Sequence, residues 1–515
     1  MILLGIYVVL IGFFIRYNNF FGILKDEILN RSFYLNAFVI KISGLVIFYL
    51  VYTKLYGTVF YSDTNDYYHD SKIIYSIADW NFTEFIKVMF GVQNDAADTE
   101  LFQKYLRFTT VWDESEDELL YNDNRLMLRF HAIIHFFSLG NYYVHAFVCS
   151  FMGFLGINWI YKAFKHLFKG KEVLLFSVWL LFPGLWFWSS TFLKEGPALF
   201  LMGLFLVASH RILIVKNRSL KNIFMFSLSI ILSFMFKQYM ALPLCLTTIL
   251  FFIIQSKFQV TKHTGIIYLL SLFVVVFIAN YAIKPLKNKT IVEAIAERQR
   301  TFMDVSKGGL FLLDSTKFIR LPYDTALITK TNKIVNDTVF VRIKTGASYS
   351  YWEHQHQQDT LYCKSNKDTT SLYKLFYVIK KSKATLQVPL QNGTLKEFVK
   401  ALPYALFISI GKPFFFDARN AMDVMTSIEN LLILLTMLLI IVLVWKYKSY
   451  SPWITYFFSI VVLVLLAIGL TSPNLGAIQR YRVLAIPFLF MCALFLYRGN
   501  LSKRGAKFFK NPPNN

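Results

Sequence analysis

Apolar runs of close to twenty residues, each closed by a short polar or basic segment, recur along most of this chain. A helix rising 1.5 Å per residue needs about 20 such residues to cross a hydrocarbon core ~30 Å thick, so the pattern predicts membrane helices. In order they are Met1–Ile15, Leu35–Tyr56, Asn141–Phe164, Glu172–Leu193 (interrupted by Pro183), Pro197–Val215, Asn222–Gln255, Gly265–Ile283, Glu429–Val444, Trp453–Leu470 and Tyr481–Leu496. Asn222–Gln255 carries Lys237-Gln-Tyr239 at its centre and reads as two short helices meeting there. The prediction is an all-α polytopic membrane protein with about 11 transmembrane helices. Met1–Ile15 has the length of a signal-peptide core, but no small-residue cleavage site follows it, so it counts as a membrane helix.

Two polar stretches interrupt this pattern. Residues 57–125 form an acid-rich loop with a dense block at Asp113–Asp123 and two amphipathic patches, Tyr67–Ile77 and Phe85–Phe90. Patches of that kind lie flat on a membrane surface. Arg125–Phe137 is a third, entering the membrane at an angle. Residues 284–427 start helical, at Ile291–Phe302, and then alternate with a period of two at Thr338–Lys344 and Thr385–Leu390, which predicts a small mixed or β-rich insert. The expected organisation is therefore a membrane domain at 1–283, an extracytoplasmic insert at 284–427, C-terminal transmembrane helices at 428–497 and a basic cytoplasmic tail at 498–515.

Composition agrees with the pattern, with 56% hydrophobic residues and a mean hydropathy of +0.46. The formal net charge of +23 raises the question of nucleic acid. Its distribution answers it: lysines and arginines cluster in short loops between apolar runs, as the positive-inside rule requires, and no nucleic-acid module is present. With basic loops inside, the acidic loop, Lys194-Glu195, Lys237, the insert and Asn474–Arg482 all fall on the outer face. Charged residues gathered at one membrane edge point to a shared site. Cys149, Cys245 and Cys492 lie in apolar runs and Cys363 in the insert, a spacing that builds neither a disulfide framework nor a zinc site. His131 and His135, and His354 and His356, are paired in sequence but lack a third ligand and read as core or surface histidines. A phosphate-cradling glycine loop, a nucleophile elbow and a zinc-protease motif are all missing from the sequence, which disfavours ATP-driven transport and intramembrane metalloproteolysis.

The candidate chemistry starts at Tyr61-Ser-Asp-Thr-Asn-Asp-Tyr-Tyr-His-Asp70, where a membrane helix meets water. Asp63 and Asp66 are three apart and share one helical face. They suit a general base acting on an acceptor hydroxyl, or a site for a divalent cation such as Mg²⁺ or Mn²⁺ that nothing else in the chain requires. They equally suit a helix start, with Asp63 as cap and Asp66 in the first turn. His69 and Asp70 read as solvated interfacial groups. Lys194-Glu195, held between Pro183 and Pro197, either contacts an anion or caps two helices. Lys237 beside Tyr239 and Pro243 fits a lipid phosphate as well as it fits a turn. Arg480 and Arg482 break the positive-inside trend; paired guanidiniums suit a phosphate or pyrophosphate, the alternative being ion pairs with the Asp113–Asp123 block. Lys412-Pro-Phe-Phe-Phe-Asp-Ala-Arg419 looks like an interfacial aromatic anchor, with Asp417 and Arg419 near the site.

These features, in this order, resemble the GT-C-type membrane glycosyltransferases: Asp63, Asp66 and the Tyr67–Ile77 patch in a first outer loop, then Ser189–Phe200, then Phe236–Pro243. The stretches Lys412-Pro-Phe, Glu429-Asn430-Leu and Asn474–Arg482 also resemble membrane proteins encoded in bacterial surface-polysaccharide clusters. The chain departs from the GT-C pattern by an extra N-terminal span and by the two-residue gap between its acidic residues. The resemblance implies a bacterial inner-membrane enzyme, multi-pass in the bilayer, that moves a sugar from a polyprenyl-phosphate donor to a glycan, lipid or protein acceptor. In it Asp63 or Asp66 is the catalytic base, and Lys194, Glu195, Lys237, Arg480 and Arg482 bind the substrate. The alternatives are a repeat-unit polymerase acting on undecaprenyl-pyrophosphate glycans and a lipid-linked glycan transporter.

Overall fold

The computed structural model describes residues 2–497 apart from 57–62, 95–97, 110, 113–122, 258–261, 283–288, 419–420 and 448–450; between 307 and 391 it describes only the strand backbone and positions 386 and 388. Most of the acidic block (113–122), His354, His356, Cys363, Arg419 and the tail from 498 lie outside the described residues.

The chain opens with α1 (Ile2–Asn18) and α2 (Arg31–Tyr56), followed by α3 (Asp63–Trp80), α4 (Phe82–Phe90), α5 (Glu100–Lys104) and α6 (Asp123–Ser138). Then come α7 (Tyr142–Phe164), α8 (Glu172–Leu181), α9 (Pro183–Trp188), α10 (Glu195–Ser209), α11 (Leu220–Phe236), α12 (Gln238–Lys257) and α13 (Lys262–Ala282). After the strand region, which α14 (Ile291–Ser306) precedes, follow α15 (Leu395–Gly411), α16 (Ala421–Tyr447), α17 (Pro452–Thr471), α18 (Leu475–Arg482) and α19 (Ile486–Leu496). Among the described residues seven helices are long and apolar enough to span a membrane, or eight if the bent pair α18 and α19 is one span. The expected eleven also counts α1, α8 and α11, which are apolar but shorter.

The three amphipathic patches become α3, α4 and α6. In α4 the Asn81 side chain accepts from the backbone N–H groups of Thr83 and Glu84, and Gly91 ends the helix in the left-handed conformation. Its Phe82, Ile86 and Phe90 face outward, as a helix resting on a membrane surface requires. α3 packs on α6 through Ile74, Ile77, Met127 and Leu128, all buried. Asp70 belongs to this contact. It is fully buried and accepts from the backbone N–H of Val111 at 2.7 Å. The expectation that Asp70 is solvated fails because its position on α3 turns it under the loop, while His69 next to it stays exposed.

Helices α7 and α10 form the closest pair. A side chain at Gly196 would collide with the carbonyl of Cys149, one at Gly156 with that of Leu199, and one at Gly203 with Gly156 itself. Small residues let two membrane helices approach until dispersion contacts hold them, in the absence of any hydrophobic drive between helices in lipid. Nearby, Lys41 in the middle of α2 is wholly buried, and its ammonium donates to the hydroxyls of Ser189 at 2.7 Å and Ser190 at 2.8 Å. It ties α2 to the turn that leads into α10. The apolar run Leu35–Tyr56 hides this lysine, since one cation barely changes a window average.

In the 284–427 stretch, short antiparallel strands between Leu310 and Tyr377 pair in an eight-stranded sheet. Thr338–Ile343 lies between Ile328–Thr329 and Leu372–Tyr377 in it. The stretch does not stay apart from the helices: α15 runs along α17, where Gly469 leaves room for the Ala405 carbonyl, and the Leu386 N–H bonds the Pro473 carbonyl at 2.7 Å. Helix packing thus resumes at Leu395, inside the 284–427 stretch.

Replacing Gly203 by valine should force α7 and α10 apart, at a cost of about 1–3 kcal/mol. A lower midpoint of thermal unfolding in detergent checks this. A change on the outward side of α13, Leu270→Phe at an exposed position, should leave it unchanged.

Candidate functional site

The ends of α3, α6, α10, α11 and α18 meet at one edge of the bundle, and a charged cluster fills the meeting point. Its centre is Glu195, the first residue of α10, where the helix dipole favours a carboxylate. Glu195 has no exposed surface. Its Oε1 accepts from Lys237 Nζ at 2.5 Å and lies 3.2 Å from Arg480 Nε. Lys237 is the single residue between α11 and α12, and its non-helical backbone breaks the apolar run. Its ammonium also donates to the Tyr239 hydroxyl at 2.9 Å and sits 4.8 Å over the Tyr481 ring.

Arg480 comes from α18, a helix started by Asn474, whose side chain accepts from the Gly476 and Ala477 N–H groups. The guanidinium reaches across to Asp63 Oδ2 at 2.7 Å and stacks on Tyr481. Lys194 lies alongside, donating to Asp123 Oδ2 and Asn124 Oδ1, each at 2.7 Å, while the Tyr67 hydroxyl donates to the same Asn124 oxygen. Asp63, Lys194, Glu195, Lys237 and Arg480 thus come together, although up to 417 residues separate the members of a pair. Asp123, Asn124, Tyr67, Tyr239 and Tyr481 join them. The sequence pattern places Asp123 in the acidic block, Tyr67 in the first amphipathic patch and Tyr239 beside Lys237, but singles out neither Asn124 nor Tyr481, whose one signal is their position next to Asp123 and Arg480.

Arg482 does not belong to the cluster. Residues two apart on a helix point to opposite sides, so Arg482 turns into the core, where Asn430 Oδ1, Glu429 Oε1 and the Ser409 and Ile410 carbonyls receive its N–H groups. It fastens α18 to α15 and α16. The expected guanidinium pair is one guanidinium, and neither arginine pairs with Asp123. Asp417 also lies elsewhere, bonded to Lys412 at 2.7 Å.

Two polar atoms of the cluster are left without a hydrogen bond. Arg480 Nε and Glu195 Oε2 are buried and lack a hydrogen-bond partner among the described residues, the Nε contact to Glu195 being close but misaligned. Asp63 is 51% exposed, so its ion pair with Arg480 faces water. Burial raises its carboxyl, but the Arg480 charge, with Lys194 behind it, wins and holds it below the ordinary carboxylate range. Asp66, one turn on, behaves oppositely. Partial burial first, then the negative charges of Asp63 and Asp70, push it up to about 6. Two carboxylates on one helical face are therefore held apart, one ionised and one poised to exchange a proton near neutral pH.

His131 and His135 lie behind α3 with His145. His131 Nδ1 is 3.1 Å from His145 Nδ1, His135 Nε2 is 3.2 Å from Ser71 Oγ, and Phe192 stacks on His131. They are core histidines satisfied by hydroxyls and by one another. Among the described residues no three His, Cys, Asp or Glu side chains gather closely enough to hold a metal ion.

Two outcomes follow. Glu195→Leu strands the buried Lys237 and the half of Arg480 that faces it, and should cost about 3–5 kcal/mol in thermal or denaturant unfolding. Lys194→Ala leaves Asp123, 40% exposed, within reach of water, and should cost less, about 1 kcal/mol. The raised Asp66 favours the protonated folded state, so its contribution to stability is complete at acid pH, below the ordinary carboxylate value. It is lost as pH rises through about 6. Asp66→Asn should remove that decline from a plot of unfolding midpoint against pH.

No family model, curated protein or solved structure matches this chain.

Proposed function

We propose that this protein is a GT-C-like membrane glycosyltransferase that moves a sugar from a polyprenyl-phosphate donor to a hydroxyl of a glycan, lipid or protein acceptor on the outer face of a bacterial inner membrane. In this reading α1, α8 and α11 join the longer helices to make eleven spans, the strand region is an extracytoplasmic insert, and the charged cluster faces outward. The observation that carries it is the cluster itself. The carboxylate of Asp63, with Asp66 one turn along the same helix, stands beside the cation Arg480 where helices end.

The chemistry needs these groups in these places. The acceptor oxygen attacks the anomeric carbon, the bond from that carbon to the phosphate oxygen breaks, and the polyprenyl phosphate leaves with the bonding electrons. The acceptor proton passes to an aspartate carboxylate. Arg480, with Lys194 and Lys237 near it, stabilises the charge that grows on the departing phosphate. Asp63 occupies Arg480 at rest, so a donor phosphate competing for the guanidinium releases that carboxylate as it arrives. Direct displacement inverts the anomeric centre. A Mg²⁺ or Mn²⁺ ion is compatible with the carboxylate pair, and no step here depends on one. A polymerase reading draws on two arginines gripping a pyrophosphate, and the engagement of Arg482 with Glu429 and Asn430 favours a monophosphate donor instead.

The test is sugar transfer by the purified protein in lipid, offered polyprenyl-phosphate sugars. Arg480→Ala and one of Asp63→Asn or Asp66→Asn should each lower the rate by about 100-fold or more. If Asp66 is the base, the wild-type rate climbs through about pH 6; if Asp63 is, that limb is missing. Transfer retained in all three variants, or binding of a polyprenyl-pyrophosphate glycan without transfer from any monophosphate donor, overturns the proposal.

A further inference from the structure

The opposite end of the bundle holds a second site, independent of the reading above. Between the C-terminal ends of α7 and α10 and the loop from α1 to α2 lies a cavity of about 670 Å³, within the range of small-ligand sites. Lys25, Lys162, Lys165 and Arg211 line it, against the carboxylates of Asp26 and Glu27. It lies one length of α10 from Glu195, about 22 Å for its 15 residues.

Two departures from regular backbone shape this cavity. Asn19, Phe20, Phe21 and Gly22 all have positive φ, between 45° and 78°. A left-handed turn costs each non-glycine residue about 1–2 kcal/mol, and this one folds the chain back so that Gly22 and Lys25 reach the cavity wall. At the other wall α10 widens into a π-helical turn, His210–Ile214, a feature frequent at functional sites. It carries His210 and Arg211 into the lining.

The cations keep donors in reserve. Lys162 gives one N–H to the Ile23 carbonyl at 2.6 Å and Lys165 one to Asp26 at 2.6 Å, which leaves each ammonium two more. Arg211 makes a long contact of 3.4 Å to Asn222. Lys25 is exposed and has no ion pair among the described residues. Asp26 is already saturated by Lys165, the Tyr161 hydroxyl and the Ile28 and Leu29 N–H groups, so it offers an incoming anion little free charge. The dipoles of α7 and α10 favour cations at their C-termini. Neither that preference nor the positive-inside rule, which accounts for outlying residues such as Lys216 and Lys221, calls for cations to converge on one cavity.

We propose that this cavity binds a phosphate group, carried by the headgroup of an anionic phospholipid in the adjoining leaflet or by a soluble phosphate. Basic pockets between membrane helices take lipid phosphates in this way, and a guanidinium flanked by ammoniums suits the anionic oxygens of a phosphate, two on a phosphodiester headgroup and more on inorganic phosphate.

The test uses the full chain in phosphatidylcholine nanodiscs, following its unfolding midpoint as phosphatidylglycerol is titrated in and, separately, as inorganic phosphate is added. A rise with phosphatidylglycerol that phosphate does not reproduce assigns a lipid; a rise with phosphate alone assigns a soluble source. In either case Lys25→Gln and Arg211→Gln should each weaken half-saturation by on the order of fivefold, with Arg211→Lys recovering part of it and Lys221→Gln behaving as wild type. Lys25 lies in an exposed loop, so its variant stays informative if Arg211→Gln folds poorly. No rise with either ligand, or an unchanged response in both glutamine variants, overturns the proposal.

Discussion

A carboxylate with no access to water, Glu195, has to be matched by positive charge, and the architecture around it follows from that demand. An ion of this size removed from water costs several kcal/mol even after relaxation. Lys237 and Arg480 supply the compensation, and each must be delivered from a different helix break. Satisfying one side chain therefore fixes where α10 starts, where α11 gives way to α12, and how α18 approaches them. Through Arg480 the same constraint reaches Asp63 and the start of α3.

Breaks of this kind are rare within a bilayer because each exposes backbone groups that lipid cannot satisfy. Here the freed groups find partners. Asn474 caps α18, and the Leu185 and Trp186 carbonyls at the end of α9 accept from the Ser189 and Ser190 hydroxyls, which the Lys41 ammonium holds in turn. A buried lysine with hydroxyl partners alone is an uncommon arrangement for a membrane helix. Its place behind the Ser189–Lys194 turn makes it a support for the cluster, one layer removed from any ligand.

The two ends of the bundle differ in the work their charges do. At the Glu195 end, acids and bases compensate one another closely, and the one carboxyl pushed up, Asp66, is raised to about 6. That suits chemistry in which charge moves. At the Lys25–Arg211 end the cations outnumber the acids and retain spare donors, which suits holding an anion in place.

The apolar periodicity determined the membrane class, the paired helices around Lys237 and the amphipathic helices α3, α4 and α6, because burial in lipid acts on every residue of a run and leaves a local signature. It also placed Asp63, Lys194, Glu195, Lys237 and Arg480 at helix ends, since charge is tolerated there more readily than along a span. Which of these residues touch was decided only by the tertiary structure. Helix phase sent Arg482 away from Arg480, packing drew Asp70 under a loop, and closure of distant segments enlisted Asp123, Asn124 and three tyrosines. Lys41 and the basic cavity were invisible for the same reason. Contacts across hundreds of residues depend on how helices rotate and approach, and hydropathy along a chain carries no record of either.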